Sequence, residues 1–158
     1  MKISIIGTGY VGLVTAAIFA DLGNEVWGID VDKLKIKNLQ LKIIPFYEPG
    51  LKEIVSRNVD KGSLHFTDSY SESIPQSDII FICVGTPPKP NGDYDLSFVF
   101  SAAKTIAKNL NKYTVVCIKS TVPPSTTESV KEIIKKETKV DFDIASCPEF
   151  LREGSALK

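Results

Sequence analysis

The sequence is poor in the side chains from which metal and disulfide sites are built. It holds one histidine and three cysteines, Cys83, Cys117 and Cys147, without the paired short spacings of a zinc site or a disulfide framework. No metal is expected, and the thiols read as reduced. Cys83 and Cys117 lie inside apolar runs, where cysteine behaves as a small hydrophobe, so both are expected in the core. His65 stands alone with no aspartate or serine partner suggested, which points to a surface or structural place. An excess of either charge is also missing, since 19 basic residues balance 19 acidic ones. Without a long-range positive field, neither nucleic acid nor a membrane surface is an expected partner, and any bound phosphate must be held locally. No apolar run approaches the roughly 18 residues of a membrane span. Met1 to Ile6 lacks the apolar region and cleavage site of a signal peptide. The expectation is a soluble, cytoplasmic chain.

What is present suffices for a core. The 158 residues are 43% hydrophobic, which fits one domain spanning residues 1–158. Apolar runs rich in Ile and Val recur at Lys2–Ile6, Glu25–Ile29, Ile79–Val84, Thr114–Ile118 and Phe142–Ala145, with a weaker candidate at Leu64–Thr67. Continuous runs of this kind mark strands buried on both faces of a parallel sheet. Helical patterns fall between them. Val11, Val14, Ile18 and Leu22 form one, Val99, Ala102, Ala103, Ile106 and Leu110 another, and Val130, Ile133 and Ile134 a third. Ser125 and Glu128 have the spacing of a capping box before the third. The stretch from Val31 to Ser63 is too long for one crossover helix and holds two helical candidates, near Lys33–Gln40 and Leu51–Asn58. Alternating strands and helices argue an α/β fold, a Rossmann-like doubly wound, mainly parallel sheet with helices on both faces.

Gly7-Thr8-Gly9-Tyr10-Val11-Gly12 joins the first strand to the first helix. In such a turn the first glycine permits the bend, the second lets backbone approach a pyrophosphate, and the third lets helix and sheet pack closely. The anion would meet free N–H groups at the positive end of the helix dipole. Asp30, at the end of the second strand, suits a carboxylate bonding both hydroxyls of an adenine ribose and would repel a 2′-phosphate. NAD is favoured over NADP on that ground, although FAD uses a similar cradle. Lys35 reads as a solvated helix charge. Three further loops leave strands at the same sheet edge: Gly85-Thr86-Pro87-Pro88, Lys119-Ser120-Thr121-Val122-Pro123 and Pro148-Glu149-Phe150. Ligands of open α/β sheets sit at that edge.

Together with Tyr47-Glu48-Pro49-Gly50-Leu51 and Pro148 to Gly154, these segments resemble the UDP-glucose/GDP-mannose dehydrogenase family, most closely its UDP-glucose 6-dehydrogenase branch. The resemblance covers nearly the whole chain and implies the N-terminal NAD-binding domain of an oxidoreductase. It implies that Gly7, Gly9, Tyr10, Val11 and Gly12 cradle the cofactor and that Asp30 and Lys35 bind its adenosine half. Val84, Gly85, Thr86, Pro87, Ser120, Thr121 and Val122 would line the rest of its path, with Glu153 also touching NAD. Glu149, Phe150, Leu151 and Arg152 would face a nucleotide sugar, expected to be UDP-glucose.

Family members oxidise the sugar C6 alcohol to a carboxylate with two NAD, through a thioester on a cysteine. Glu149 matches the glutamate that activates water for its hydrolysis, with Thr121 helping to hold that water. Glu149 also has a plainer reading, as an acid at a helix N-terminus. No Gly-x-Cys-x-x-Lys-Asp segment carrying the nucleophile occurs in this sequence, so the isolated chain is expected to be inactive. Cys147 stands where the family usually has asparagine, and a nucleophilic role for it is not expected. Full-length family members form homo-oligomers. The alternatives are a domain of a GDP-mannose or UDP-N-acetylmannosamine dehydrogenase, or a stand-alone NAD-binding module without catalysis.

Overall fold

A computed structural model describes residues 1–157. The apolar runs become six strands: β1 (Lys2–Ile6), β2 (Glu25–Ile29), β3 (Leu64–Thr67), β4 (Ile79–Ile82), β5 (Thr114–Ile118) and β6 (Phe142–Ser146). They form one sheet in the order β3-β2-β1-β4-β5-β6, with every neighbouring pair parallel. Helices α1 (Tyr10–Asp21), α2 (Lys33–Gln40), α3 (Leu51–Asp60), the short α4 (Tyr70–Ser73), α5 (Ser97–Asn109) and α6 (Thr126–Glu137) lie between the strands. The order reverses between β1 and β4, which opens a crevice at the carboxyl ends of those strands. This is the expected doubly wound Rossmann-like sheet.

Successive side chains of a strand point to opposite faces, so continuously apolar strands fill two layers at once. Ile3, Ile5, Phe81 and Cys117 pack on one side with Leu13, Val14, Leu39 and Val55. Ile6, Ile80, Ile82, Val116 and Ile118 pack on the other with Val99, Ile106, Val130 and Ile134. Each fully buried isoleucine contributes about 1.5–3 kcal/mol by leaving water. β6 departs from the pattern: it pairs only with β5, and Asp143 and Ser146 are exposed.

The sequence pattern errs at several points. β4 stops at Ile82, because Lys119 and Ser120 both donate backbone N–H groups to the Ile82 carbonyl and turn the chain out of the ladder. The capping box at Ser125 does not form. Ser125 sits at φ 68, ψ 0, and its side chain makes no cap bond. A capping serine needs extended backbone for its hydroxyl to reach the first free N–H groups, and the left-handed turn carries it away. Thr126 Oγ1 donates instead to the Pro123 carbonyl at 2.7 Å. α4 and the 3₁₀ turn at Ile74–Gln76 are too short for periodicity to reveal.

Candidate functional site

Three glycines in one turn answer to three different constraints. Gly7 has φ 96, and a Cβ there would lie 2.7 Å from the Cys83 carbonyl oxygen. A Cβ on Gly12 would stand 1.8 Å from the Gly7 carbonyl oxygen, so α1 can approach the turn only without one. Gly9 differs. Its φ of −71 suits any residue, and among the described residues nothing lies within 4 Å of the Cβ it would carry. Neither strain nor crowding within the chain explains that glycine, whereas a ligand approaching the backbone does. Gly9 also precedes α1, whose N-terminus has no side-chain cap and no acid in its first turn. The unsatisfied N–H groups of that first turn are suited to a phosphate.

Asp30 follows β2 beside this turn. Its Oδ2 accepts from the Thr8 N–H and the Thr8 hydroxyl, each at 2.9 Å, and from Lys35 Nζ at 2.7 Å. Among the described residues Oδ1 takes only the Asp32 N–H, at 3.1 Å, and so keeps room for a sugar hydroxyl. Burial works to raise the Asp30 pKa, but the Lys35 ammonium and the Thr8 and Asp32 N–H groups outweigh it and hold the carboxyl below its usual range. Lys35 is placed by α2, which Asp32 caps by accepting from the Leu34 and Lys35 N–H groups at 3.0 Å each. Lys35 is therefore an ion-pair partner and not the freely solvated charge its position suggests.

Two cavities meet at the glycine turn and share Gly9, Cys83, Val84 and Gly85 as a common wall. The first, about 290 Å³, also holds Gly7, Asp30 and Lys35, with Tyr70 and Phe98. The second, about 260 Å³, holds Tyr10, Val11, Thr86, Lys119, Ser120, Thr121 and Glu149. The Ser120 hydroxyl donates to the Val84 carbonyl at 2.7 Å, and the Thr86 hydroxyl to the Thr121 carbonyl at 2.8 Å. These bonds tie the loops after β4 and β5 together. Gly12, Pro87, Val122, Phe150, Leu151, Arg152 and Glu153 line neither cavity, and Phe150 is 96% exposed.

Glu149 lines the second cavity and is half-buried. No helix follows it among the described residues, which removes the helix-terminal reading. Its carboxylate accepts the Leu151 N–H at 2.5 Å, fixing the turn. Sequence reasoning missed Tyr70, Phe98 and Lys119. Tyr70 and Phe98 reach the first cavity through α4 and α5, a tertiary placement that no local pattern announces. Lys119 stands inside a loop that the sequence does single out, so its position was the available signal. Burial and then the neighbouring Asp30 charge push the Tyr70 phenol up to about 12.

The thiols and the histidine sit apart from this chemistry. Cys83 and Cys117 are buried and free, and Cys147 is half-buried. Burial pushes the Cys83 and Cys117 thiols up to about 12. His65 stacks on Trp27 with ring centroids 4.8 Å apart. Among the described residues no group of three metal-ligating side chains gathers, and no helix is long and apolar enough to cross a membrane.

A parallel sheet in this order, a glycine turn opening onto an uncapped helix and a carboxylate at the end of the second strand define a dinucleotide-binding domain. The NAD-binding-domain model of the UDP-glucose/GDP-mannose dehydrogenase family matches residues 1–158, and the chain belongs to that family. Its dinucleotide is therefore NAD. The chain is 50% identical to UDP-glucose 6-dehydrogenase TuaD of Bacillus subtilis, over 99% of this chain and 34% of that protein. It is 43% identical to the structure of a UDP-glucose dehydrogenase from Pyrobaculum islandicum, with TM-score 0.94 over 99% of this chain and 37% of that one. A GDP-mannose dehydrogenase from Pseudomonas aeruginosa is 36% identical, with TM-score 0.91, over 99% and 38% of the two chains. The chain thus spans about a third of the length of these relatives.

Proposed function

We propose that this chain is the cofactor-binding part of an enzyme oxidising UDP-glucose to UDP-glucuronate with two NAD. Bound NAD would accept hydride from the sugar. The observation that carries this reading is the open approach to Gly9, flanked by Asp30 in one cavity and by Thr121 and Glu149 in the other. The adenosine half would take the cavity of Asp30, Lys35 and Tyr70, and the pyrophosphate would meet the first turn of α1. The nicotinamide would extend past Val84, Thr86 and Ser120 toward Thr121. Pro87, Val122 and Glu153 would flank that path. Glu149 would orient and deprotonate the hydrolytic water with help from Thr121. Phe150, Leu151 and Arg152 would face the sugar. UDP-glucose is preferred to GDP-mannose because identity is higher to the relatives named for UDP-glucose.

Turnover would need residues beyond these, in the complete enzyme, which would act as a homo-oligomer. A cytoplasmic setting suits three free cysteines. Calorimetric titration with NAD and NADP, together with assay of NADH from UDP-glucose, tests the reading. The expected result is NAD binding with no NADH from this chain alone. NADH formed by this chain alone, and lost in Cys147→Ser, would make Cys147 the nucleophile and overturn the assignment.

A further inference from the structure

Glu48 lies in the connection between α2 and α3, outside the nucleotide cleft, yet it is only 4% exposed. Its Oε2 accepts the Tyr10 hydroxyl at 2.7 Å and the Gly154 N–H at 2.7 Å, and its Oε1 accepts the Ala156 N–H at 2.9 Å. Tyr10 is the first residue of α1 and stands in the glycine turn itself. Gly154 and Ala156 belong to the turn that follows Arg152 and Glu153, closed by a bond from the Ser155 N–H to the Arg152 carbonyl at 3.0 Å. One buried carboxylate therefore joins two segments more than a hundred residues apart in sequence.

We propose that Glu48 is a positioning residue that locks the Arg152–Ala156 turn to the glycine turn, so that cofactor and sugar segments are set as one unit. The inference rests on the functional reading above. Three donors converge on the group, which is why a carboxylate is needed. A glutamine would have to aim its NH₂ at a backbone donor: in one orientation the Ala156 N–H is left facing it, in the other the Gly154 N–H is, while the Tyr10 hydroxyl could turn to accept. An aspartate would be a methylene too short to reach all three. The Tyr10 hydrogen bond, followed by the Gly154 and Ala156 N–H groups, outweighs burial and holds the Glu48 pKa below its ordinary 4.5. Leu151, Ala156 and Leu157 still pack on the core, so losing the carboxylate frees the polar side of the turn without detaching the segment.

Amide hydrogen exchange at Gly154 and Ala156 tests this, first without ligand and then with NAD. Glu48→Gln is expected to speed exchange about tenfold at the amide its NH₂ faces, as loss of a charge-assisted bond implies, and by less at the other, whose bond becomes a neutral one, with β1 and β4 unchanged. Tyr10→Phe, which leaves both amide bonds in place, keeps the fold and gives a smaller increase. In the wild type, NAD slows the two amides further, and in Glu48→Gln it binds without slowing them. Wild-type protection at the two amides, measured against their intrinsic exchange rate at each pH, falls as pH drops below 4.5, and that fall is absent in Glu48→Gln. Unchanged exchange in the variant, or equal slowing by NAD in both proteins, overturns the proposal. Wild-type protein that binds no NAD would instead remove the functional reading, and the ligand-free exchange would still decide the role of Glu48.

Discussion

Lys35 Nζ lies 2.7 Å from Asp30 Oδ2, with Asp30 the more buried partner, its side chain 10% exposed against 30% for the lysine. The lysine's charge is thereby committed to the carboxylate that a ribose would meet. Removing Asp30 does two things at once: it deletes a hydrogen-bond acceptor and frees an ammonium at the place a 2′-phosphate would occupy. Asp30→Ala should weaken NAD binding roughly tenfold or more, and should narrow or invert the preference over NADP. Paired calorimetric titrations give both numbers. An unchanged NAD to NADP ratio would move the ribose site elsewhere.

Gly9 and Gly12 should fail in opposite ways. Gly9→Val places its side chain in open space, so the unfolding midpoint should hold while NAD binding is lost. Gly12→Ala forces a methyl against the Gly7 carbonyl, and overpacking of that kind costs about 1–3 kcal/mol or more. Urea unfolding and calorimetry on the two variants separate the effects. A Gly9→Val protein that binds NAD normally would make the glycine merely a turn residue.

The Asp30 carboxyl titrates below its ordinary 3.8 in the folded chain. A depressed pKa means the folded state favours the ionised form, so its contribution is complete above about 3.8 and is lost as pH falls through the lower folded value. Asp30→Asn should accordingly be less stable than wild type near pH 6, with the gap closing below 3.8. Urea titrations at several pH values would settle it, and a gap independent of pH would contradict the assigned charge state.

Cys147 should be the thiol that reagents find. Burial raises the Cys83 and Cys117 thiols to about 12 and also denies access, whereas Cys147 is half-buried. Brief iodoacetamide treatment of folded protein, read by peptide mass spectrometry, should modify Cys147 well before the other two. Equal labelling of all three would show that the sheet opens on the timescale of the reaction.

The sheet was legible because its strands must be apolar on both faces, a constraint written into Ile79–Ile82 residue by residue and into Ile3–Ile6 at every position but Ser4. The glycine turn was equally legible, since Gly7 and Gly12 answer geometric demands of the turn itself and Gly9, at a fixed spacing between them, leaves room for a ligand. Ser125 misled because spacing alone cannot tell an extended backbone from a left-handed one. Glu48 stood in a recognisable segment, but its partners Gly154 and Ala156 are supplied by the far end of the chain, and no window of sequence contains that contact. Tyr70 was hidden for the same reason: a single short turn after β3 carries it to the cavity.

The one tryptophan of the chain is sandwiched in the sheet, with His65 stacked on it and Lys2 Nζ 5.7 Å from its ring centroid. It lines neither cavity. Its emission should therefore register opening of the β2–β3 half of the sheet and remain silent to cofactor, which makes it a clean optical readout for the melting and denaturant series on every cleft variant.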